Sequence, residues 1–202
     1  MSLDKLMENI EKHGWFVWDD FLSAEQVSEL RQCIPSEWKQ AKIGRRDDTH
    51  QDTRRRTDKI HWMNATMGAP VQDYLDRMAA IQTMMNQRFF MGLFEYESHF
   101  SKYEEGDFYE KHYDSFQGSS NRRLTTVFYL NEEWTPEHGG ILKLYDQHDH
   151  RLAEIEPIAG RLVVFLSEEF PHEVCVSQQE RYSIAGWFRV NGVKDGVVDI
   201  AQ

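Results

Sequence analysis

The sequence predicts a mainly β domain with flanking α-helices, built on a double-stranded β-helix of the jelly-roll type. Three observations predict it. From Gly92 onward the chain breaks into eight short apolar or alternating runs separated by turn residues. Before that point apolar residues recur at helical spacing in two places. The composition, 40% hydrophobic and 13% aromatic over 202 residues, suits one domain with a substantial core.

Taken in order, Trp15-Phe16-Val17-Trp18 is short and aromatic, as in a strand. Ser23 with Gln26 three residues on is a capping-box pattern, and Val27 and Leu30 continue it at helical spacing. About Lys39 to Lys59 the chain is charged and poor in apolar residues, which reads as a long mobile loop. A second helix starts near Pro70, with Val71, Tyr74, Leu75, Met78, Ile81 and Met85 along one stripe; this is core packing. The eight strand segments are GLFEYESHFSKY, DFYEKHYD, RRLTTVFYLN, GGILKLY, RLAEIEP, GRLVVFL, PHEVCVS and RYSIAGWFRV. No repeat or linker divides the chain. Residues 1–202 are expected to form a single domain, with the N-terminal strand and helices over about 1–90 and the jelly-roll core over about 91–192.

The formal net charge of −11 argues against a general nucleic-acid binder, which needs clustered Lys and Arg; Arg54-Arg55-Arg56 is a local exception. Cys33 and Cys175 are too few for a disulfide framework and form no CxxC pair. MSLDKLMENIEKHGW is charged, without the apolar segment of a leader, and no 18-residue apolar stretch exists. A soluble cytoplasmic protein without membrane or nucleic-acid partners is expected, and a monomer.

His112-Tyr113-Asp114 is an H-x-D. In a strand, residues i and i+2 share a face, so imidazole and carboxylate can converge on one ion. His172, opening a strand after Pro171, would complete a 2-His-1-carboxylate triad with open positions for a bidentate cosubstrate and O2. Arg181, nine residues on, opens the next strand. A hairpin there would bring its planar fork back towards the metal to hold a ligand's distal carboxylate. The motif alone is weak, since a chain with nine His carries a second H-x-D at His50 and Asp52. That pair sits in the charged stretch without strand alternation; His99 follows at a plausible distance as its third ligand, but the position nine beyond it is Phe108, which cannot bind a carboxylate. His148-Asp149-His150 reads as a solvated turn between strands, and Cys175 as structural.

Around these residues the chain resembles the prolyl hydroxylase branch of the 2-oxoglutarate/Fe(II) dioxygenases, in particular the hypoxia-inducible-factor prolyl hydroxylases and their bacterial relatives. HGWFVWDDFLSAEQ, TDKIHWM, VFYLNEEW, GGILKLY, IEPIAGRLVVF and PHEV…RYSIAGWF follow the family's order and spacing from about His13 to Val190. The resemblance implies Fe(II) on His112, Asp114 and His172, with 2-oxoglutarate and O2, and ascorbate as a further candidate. It implies that Tyr129 shares the distal carboxylate with Arg181, that Tyr103 reaches the keto-acid end, and that Trp187 lines the metal pocket. Arg56, Asp58 and Arg122 match polar positions at the substrate entrance, where Asp58 and Arg122 are expected to pair. The sequence departs from the family in the triple arginine ending at Arg56 and in the length of SFQGSSN after Asp114.

The implied activity is 4-hydroxylation of a prolyl residue in a protein or peptide, with release of succinate and CO2. Related iron halogenases lack the carboxylate, so Asp114 favours hydroxylation. Hydroxylation of a small molecule or another side chain is the competing enzyme reading. A non-catalytic metal-binding jelly roll and a nucleic-acid demethylase are the other classes. The intact triad with Arg181 argues against the first, and the acidic charge against the second.

Overall fold

The computed structural model describes residues 2–41, 55–115, 121–194 and 197–199. Three α-helices are present among them. The first, α1 (Leu3–His13), lies in a segment to which the sequence reading assigns no helix. Ser2 accepts from the Lys5 amide at its start, and Gly14 closes it in the left-handed conformation at φ 76°. Its apolar stripe is short: Leu6, Met7 and Ile10 are buried and Leu3 packs half-buried beside them, within an otherwise charged run. The other two agree with expectation. In α2 (Ala24–Gln32) both halves of the Ser23–Gln26 capping box form. In α3 (Ala69–Phe89), Pro70 sits in the first turn and Val71, Tyr74, Met78, Ile81 and Met85 are buried, with Leu75 half-buried beside them.

The described strands are β1 (Trp15–Trp18), β2 (Lys39–Gln40), β3 (Lys59–Trp62), β4 (Leu93–Tyr103), β5 (Tyr109–His112), β6 (Arg122–Tyr129), β7 (Leu142–Tyr145), β8 (Arg151–Ile155), β9 (Leu162–Leu166), β10 (His172–Val174), β11 (Arg181–Val190), β12 (Gly192–Lys194) and β13 (Val197–Asp199). All eight segments expected after Gly92 contain a strand; the β12–β13 hairpin was not expected. The stretch expected as a loop from Lys39 to Lys59 is strand at both ends. Lys39 and Gln40 pair with Ile60 and Lys59 of β3, and the Ala41 amide donates to the Asp58 carbonyl. Residues 42–54 of that stretch lie outside the described residues.

A seven-stranded sheet runs in the order β1-β9-β6-β11-β4-β3-β2, and a four-stranded sheet in the order β5-β10-β7-β8. Their pairings are antiparallel, the double-sheeted jelly-roll arrangement the sequence predicts. Period-2 alternation divides each strand of the large sheet between two environments. In β6, Leu124 and Phe128 turn to the layer packed by the helices, while Val127 and Tyr129 turn to the four-stranded sheet. In β9, Val164 faces the helices and Val163 and Phe165 face inward. Both faces are covered, so these strands read as continuous apolar runs in sequence.

One connection differs from expectation. His172 and Arg181 are not joined by a hairpin: β10 belongs to the four-stranded sheet and β11 to the seven-stranded one. The link between them crosses from one sheet to the other. It therefore delivers the two side chains to the cavity from opposite walls.

Candidate metal centre and carboxylate clamp

His112 closes β5 and His172 opens β10, and the two are register partners across that antiparallel pair. Their ring centroids lie 4.3 Å apart. Asp114 arrives differently. The strand ends at His112 and Asp114 and Ser115 lie in a bend, so the same-face argument for H-x-D does not place the carboxylate; the bend does. Asp114 Oδ1 lies 3.7 Å from His112 Nε2, and Oδ2 lies 3.5 Å from His172 Nε2. One ligand atom from each residue falls within 4.8 Å of the others.

Protonation states suit a cation. Nδ1 of His112 is 2.7 Å from the Glu110 carbonyl and Nδ1 of His172 is 3.1 Å from the Phe170 carbonyl. A carbonyl only accepts, so each Nδ1 carries a proton and each Nε2 is the ring nitrogen turned to the site. Burial pushes His172 down to about 4, with repulsion from His112 adding to it, so this imidazole is neutral at neutral pH. Burial alone would raise Asp114, but His172, His112 and Arg122 outweigh it and hold the carboxyl well below the usual carboxylate range. Tyr109 stacks on His112 at 3.6 Å between centroids, and Phe165 meets His172 edge-on at 4.8 Å, fixing both rings.

Arg181 enters the same cavity from β11 and is 1% exposed. Its Nε donates to the Gly140 carbonyl at 3.0 Å and its Nη1 to Ser183 Oγ at 3.1 Å. Among the described residues no carboxylate pairs with it, and both its Nη2 and the neighbouring Tyr129 hydroxyl are buried without a hydrogen-bond partner. The guanidinium carbon lies 5.1 Å from the Tyr129 ring centre and 4.8 Å from that of Tyr103. Burial, opposed by Arg181, pushes the Tyr129 phenol up to about 12, so it remains a donor. Unpaired buried donors cost about 1–3 kcal/mol each, and two of them beside an uncompensated cation define a receptor for a carboxylate. Gly140 makes room for it. At φ 61° it favours glycine, and a Cβ there would stand 2.8 Å from Arg181 Cδ.

The entrance is arranged differently from expectation. Asp58 and Arg122 do not pair. Arg56 clamps the fully buried Asp58 through two bonds of 2.6 and 3.0 Å, and Arg122 pairs with Glu97 at 2.8 Å while lying 3.7 Å over the Trp187 ring. Arg56, Arg122 and Trp187 line the cavity, whereas Asp58 acts on it through Arg56, which stacks over Tyr109 at 4.5 Å. Burial opposes the Arg56 charge, but Asp58 outweighs that and raises its pKa.

Among the described residues, no other histidine joins this cluster. His50 and Asp52 lie outside the described residues. His99 is buried on β4 between Trp62 and Trp187, at 5.1 and 5.4 Å, and burial with Arg56 and Arg122 pushes it down to about 3. His148 and His150 sit in a turn whose amides donate to Asp146 Oδ1. Cys33 and Cys175 are free thiols. No described helix is long and apolar enough to cross a membrane. Sequence reasoning missed Tyr109, Thr125, Ser167, Ser183 and Gly140. The Gly139-Gly140 pair and the alternation from Arg181 to Ser183 were the available signals; nothing local marks Thr125 or Ser167.

Comparison with known proteins gives a consistent picture. A family model described as the 2OG-Fe(II) oxygenase superfamily matches residues 98–189. The crystal structure of a Pseudomonas putida prolyl-4-hydroxylase superimposes with a TM-score of 0.84 at 35% identity, covering 95% of this chain and 100% of that one. A Trichoplax adhaerens prolyl hydroxylase, in complex with a hypoxia inducible factor oxygen degradation domain peptide fragment, shares the fold at TM-score 0.79 and 24% identity, over 93% of this chain and 88% of that one. Egl nine homolog 1 of Rattus norvegicus is 27% identical over 203 residues, 93% of this chain; the chain spans 59% of that relative's length.

Proposed function

The chain belongs to the 2OG-Fe(II) oxygenase superfamily, and from that premise we propose that it hydroxylates a prolyl residue, at the 4-position, in a protein or peptide. The observation that carries the oxygenase part is the meeting of His112, Asp114 and His172 with a buried Arg181 whose Nη2 has no partner, in one cavity. Two imidazoles and a carboxylate are the donor set that suits Fe(II) in oxygenases. The orphaned donors of Arg181 and Tyr129 fit the distal carboxylate of 2-oxoglutarate, with Tyr103 beside them. When bound, Fe(II) and 2-oxoglutarate supply the activation of O2 and the oxidation of a C–H bond, with release of succinate and CO2.

The chain's own residues bind, orient and exclude water. Arg181 and Tyr129 donate to the far carboxylate, while Val127, Leu142 and Val174 give the cavity an apolar wall. Asp58 holds Arg56 over Tyr109, and Trp187 under Arg122 forms the other side of the opening. The prolyl part is supported by the 35% identity to a prolyl-4-hydroxylase over that chain's full length. A monomer in the cytoplasm, with ascorbate as an auxiliary reductant, belongs to the same proposal. The test is succinate formation from 2-oxoglutarate with Fe(II) and proline-containing peptides, read with mass spectrometry. Gain of one oxygen at proline is the expected result. Failure to bind 2-oxoglutarate sinks the oxygenase reading, and oxygen gain confined to free metabolites sinks the prolyl one.

A further inference from the structure

Asp114 is the ligand that no strand holds, since β5 ends two residues earlier and the chain bends through it. Its support comes from the opposite sheet. Thr125 Oγ1 lies 2.9 Å from Asp114 Oδ2 and 2.8 Å from Ser167 Oγ. Thr125 is 1% exposed on β6, paired on one side with Trp187 of β11 and on the other with Phe165 of β9. Ser167 is wholly buried in the turn after β9, its amide bonded to the Arg123 carbonyl at 3.1 Å. The next residue, Glu168, accepts from Arg123 at 2.5 Å and from Ser115 Oγ at 3.4 Å, so the neighbour of Asp114 is tied to the same turn.

The directions of these bonds are fixed by chemistry. An ionised carboxylate only accepts, so the Thr125 hydroxyl donates to Asp114. With that single proton committed, Ser167 must donate to Thr125. The result is a one-way chain, Ser167 O–H to Thr125 O–H to Asp114 Oδ2, of the kind in which each bond polarises the next. It engages Oδ2, which also lies 3.5 Å from His172 Nε2, and so orients the carboxylate with Oδ1 turned to His112 Nε2 at 3.7 Å.

We propose that Thr125 and Ser167 are positioning residues that hold Asp114 as a one-oxygen metal ligand, keeping its second oxygen off the ion. A carboxylate free to rotate would chelate with both oxygens and use a position that cosubstrate and O2 require. This rests on the metal-centre reading above, and the test separates the two. The native protein and the variants Thr125→Val, Thr125→Ser and Ser167→Ala are titrated with Mn(II) by EPR, and the visible bands of Co(II) are recorded with 2-oxoglutarate present. Thr125→Val is expected to change Mn(II) affinity about 10- to 100-fold and to move the Co(II) bands as the number of coordinating oxygens changes. Thr125→Ser, which keeps the hydroxyl, restores both, and Ser167→Ala moves both in the same direction by less. Native affinity and native Co(II) bands in Thr125→Val overturn the assignment. If that variant does not fold, unchanged affinity and bands in Ser167→Ala overturn it instead. Absence of Mn(II) binding by the native protein overturns the metal centre itself, and this proposal with it.

Discussion

The two ends of the cavity are built by different rules. At the inner end, His112, His172 and Arg181, with Tyr129 packed against Arg181, sit on or at the ends of paired strands, and period-2 alternation decides which way each side chain points. At the outer end, Arg56, Asp58, Arg122 and Trp187 find their places through ion pairs and ring stacking between segments far apart in the chain. Position in a ladder is nearly fixed once the strand is known; the choice of ion-pair partner is not. The inner end should therefore fail in large steps when altered, and the outer end in small ones.

The largest step is expected from Asp114→Ala. Removing one of three ligands should cost more than the roughly 100-fold that outer partners of a metal site can cost, read as Mn(II) affinity. An affinity near that of the native protein would show that the inner end does not depend on its ligands. Arg181→Lys comes next. It exchanges the buried fork for a point charge and should weaken 2-oxoglutarate binding about 10- to 100-fold by calorimetry, as loss of a charge-assisted hydrogen bond of about 1.5–3 kcal/mol requires.

His99 stands at the boundary, and its expected effect is one of pH. Its folded pKa of about 3 lies below its ordinary 6.5, so between these values the unfolded chain binds a proton that the folded chain refuses. Stability from this residue is full above about pH 6.5 and is lost as pH falls towards 3, by roughly 1.4 kcal/mol per unit. Denaturant unfolding of His99→Gln should show a pH slope flatter by that amount; an unchanged slope would place the titration elsewhere. Tyr129→Phe is smaller still. It should weaken 2-oxoglutarate by a factor of about 5, the equivalent of one neutral hydrogen bond, without lowering the unfolding midpoint, since the hydroxyl has no partner in the absence of ligand. At the outer end, Arg122→Ala should raise the peptide KM and leave 2-oxoglutarate affinity unchanged. If it weakened 2-oxoglutarate as much as Tyr129→Phe, the division between the two ends would be lost.

The same contrast explains what was legible in the sequence. The eight strands, the capping box at Ser23 and the stripe from Val71 to Met85 follow from local chemistry. The cluster of His112, Asp114, His172 and Arg181 was legible through the family-like order of segments around it, since a bend and not a shared strand face places Asp114 and a crossing and not a hairpin places Arg181. The helix Leu3–His13 was hard to read because its stripe, Leu3, Leu6, Met7 and Ile10, spans two turns among charged residues. The Asp58–Arg122 pairing failed because Arg56, two residues from Asp58, reaches its carboxylate first, and Glu97 takes Arg122. Thr125 and Ser167 were invisible because they are 42 residues apart and meet only through the pairing of β6 with β9.

The crossing between β10 and β11 has a consequence for the size of ligand the cavity accepts. His172 and Arg181 stand on opposite walls, joined by a segment that is stitched down along its length. Ser177 bonds through its amide to the Asp107 carbonyl and through its carbonyl to the Gly106 amide, Val176 accepts from Gly140, and the Gln178 amide donates to His138. Gly140 in turn receives Arg181 Nε. The backbone on both walls is thus braced, and the Arg181 guanidinium is held to it by the Gly140 carbonyl and Ser183. A cavity braced in this way is expected to favour a dicarboxylate of one chain length, which the binding constants of homologues a carbon shorter and a carbon longer would measure.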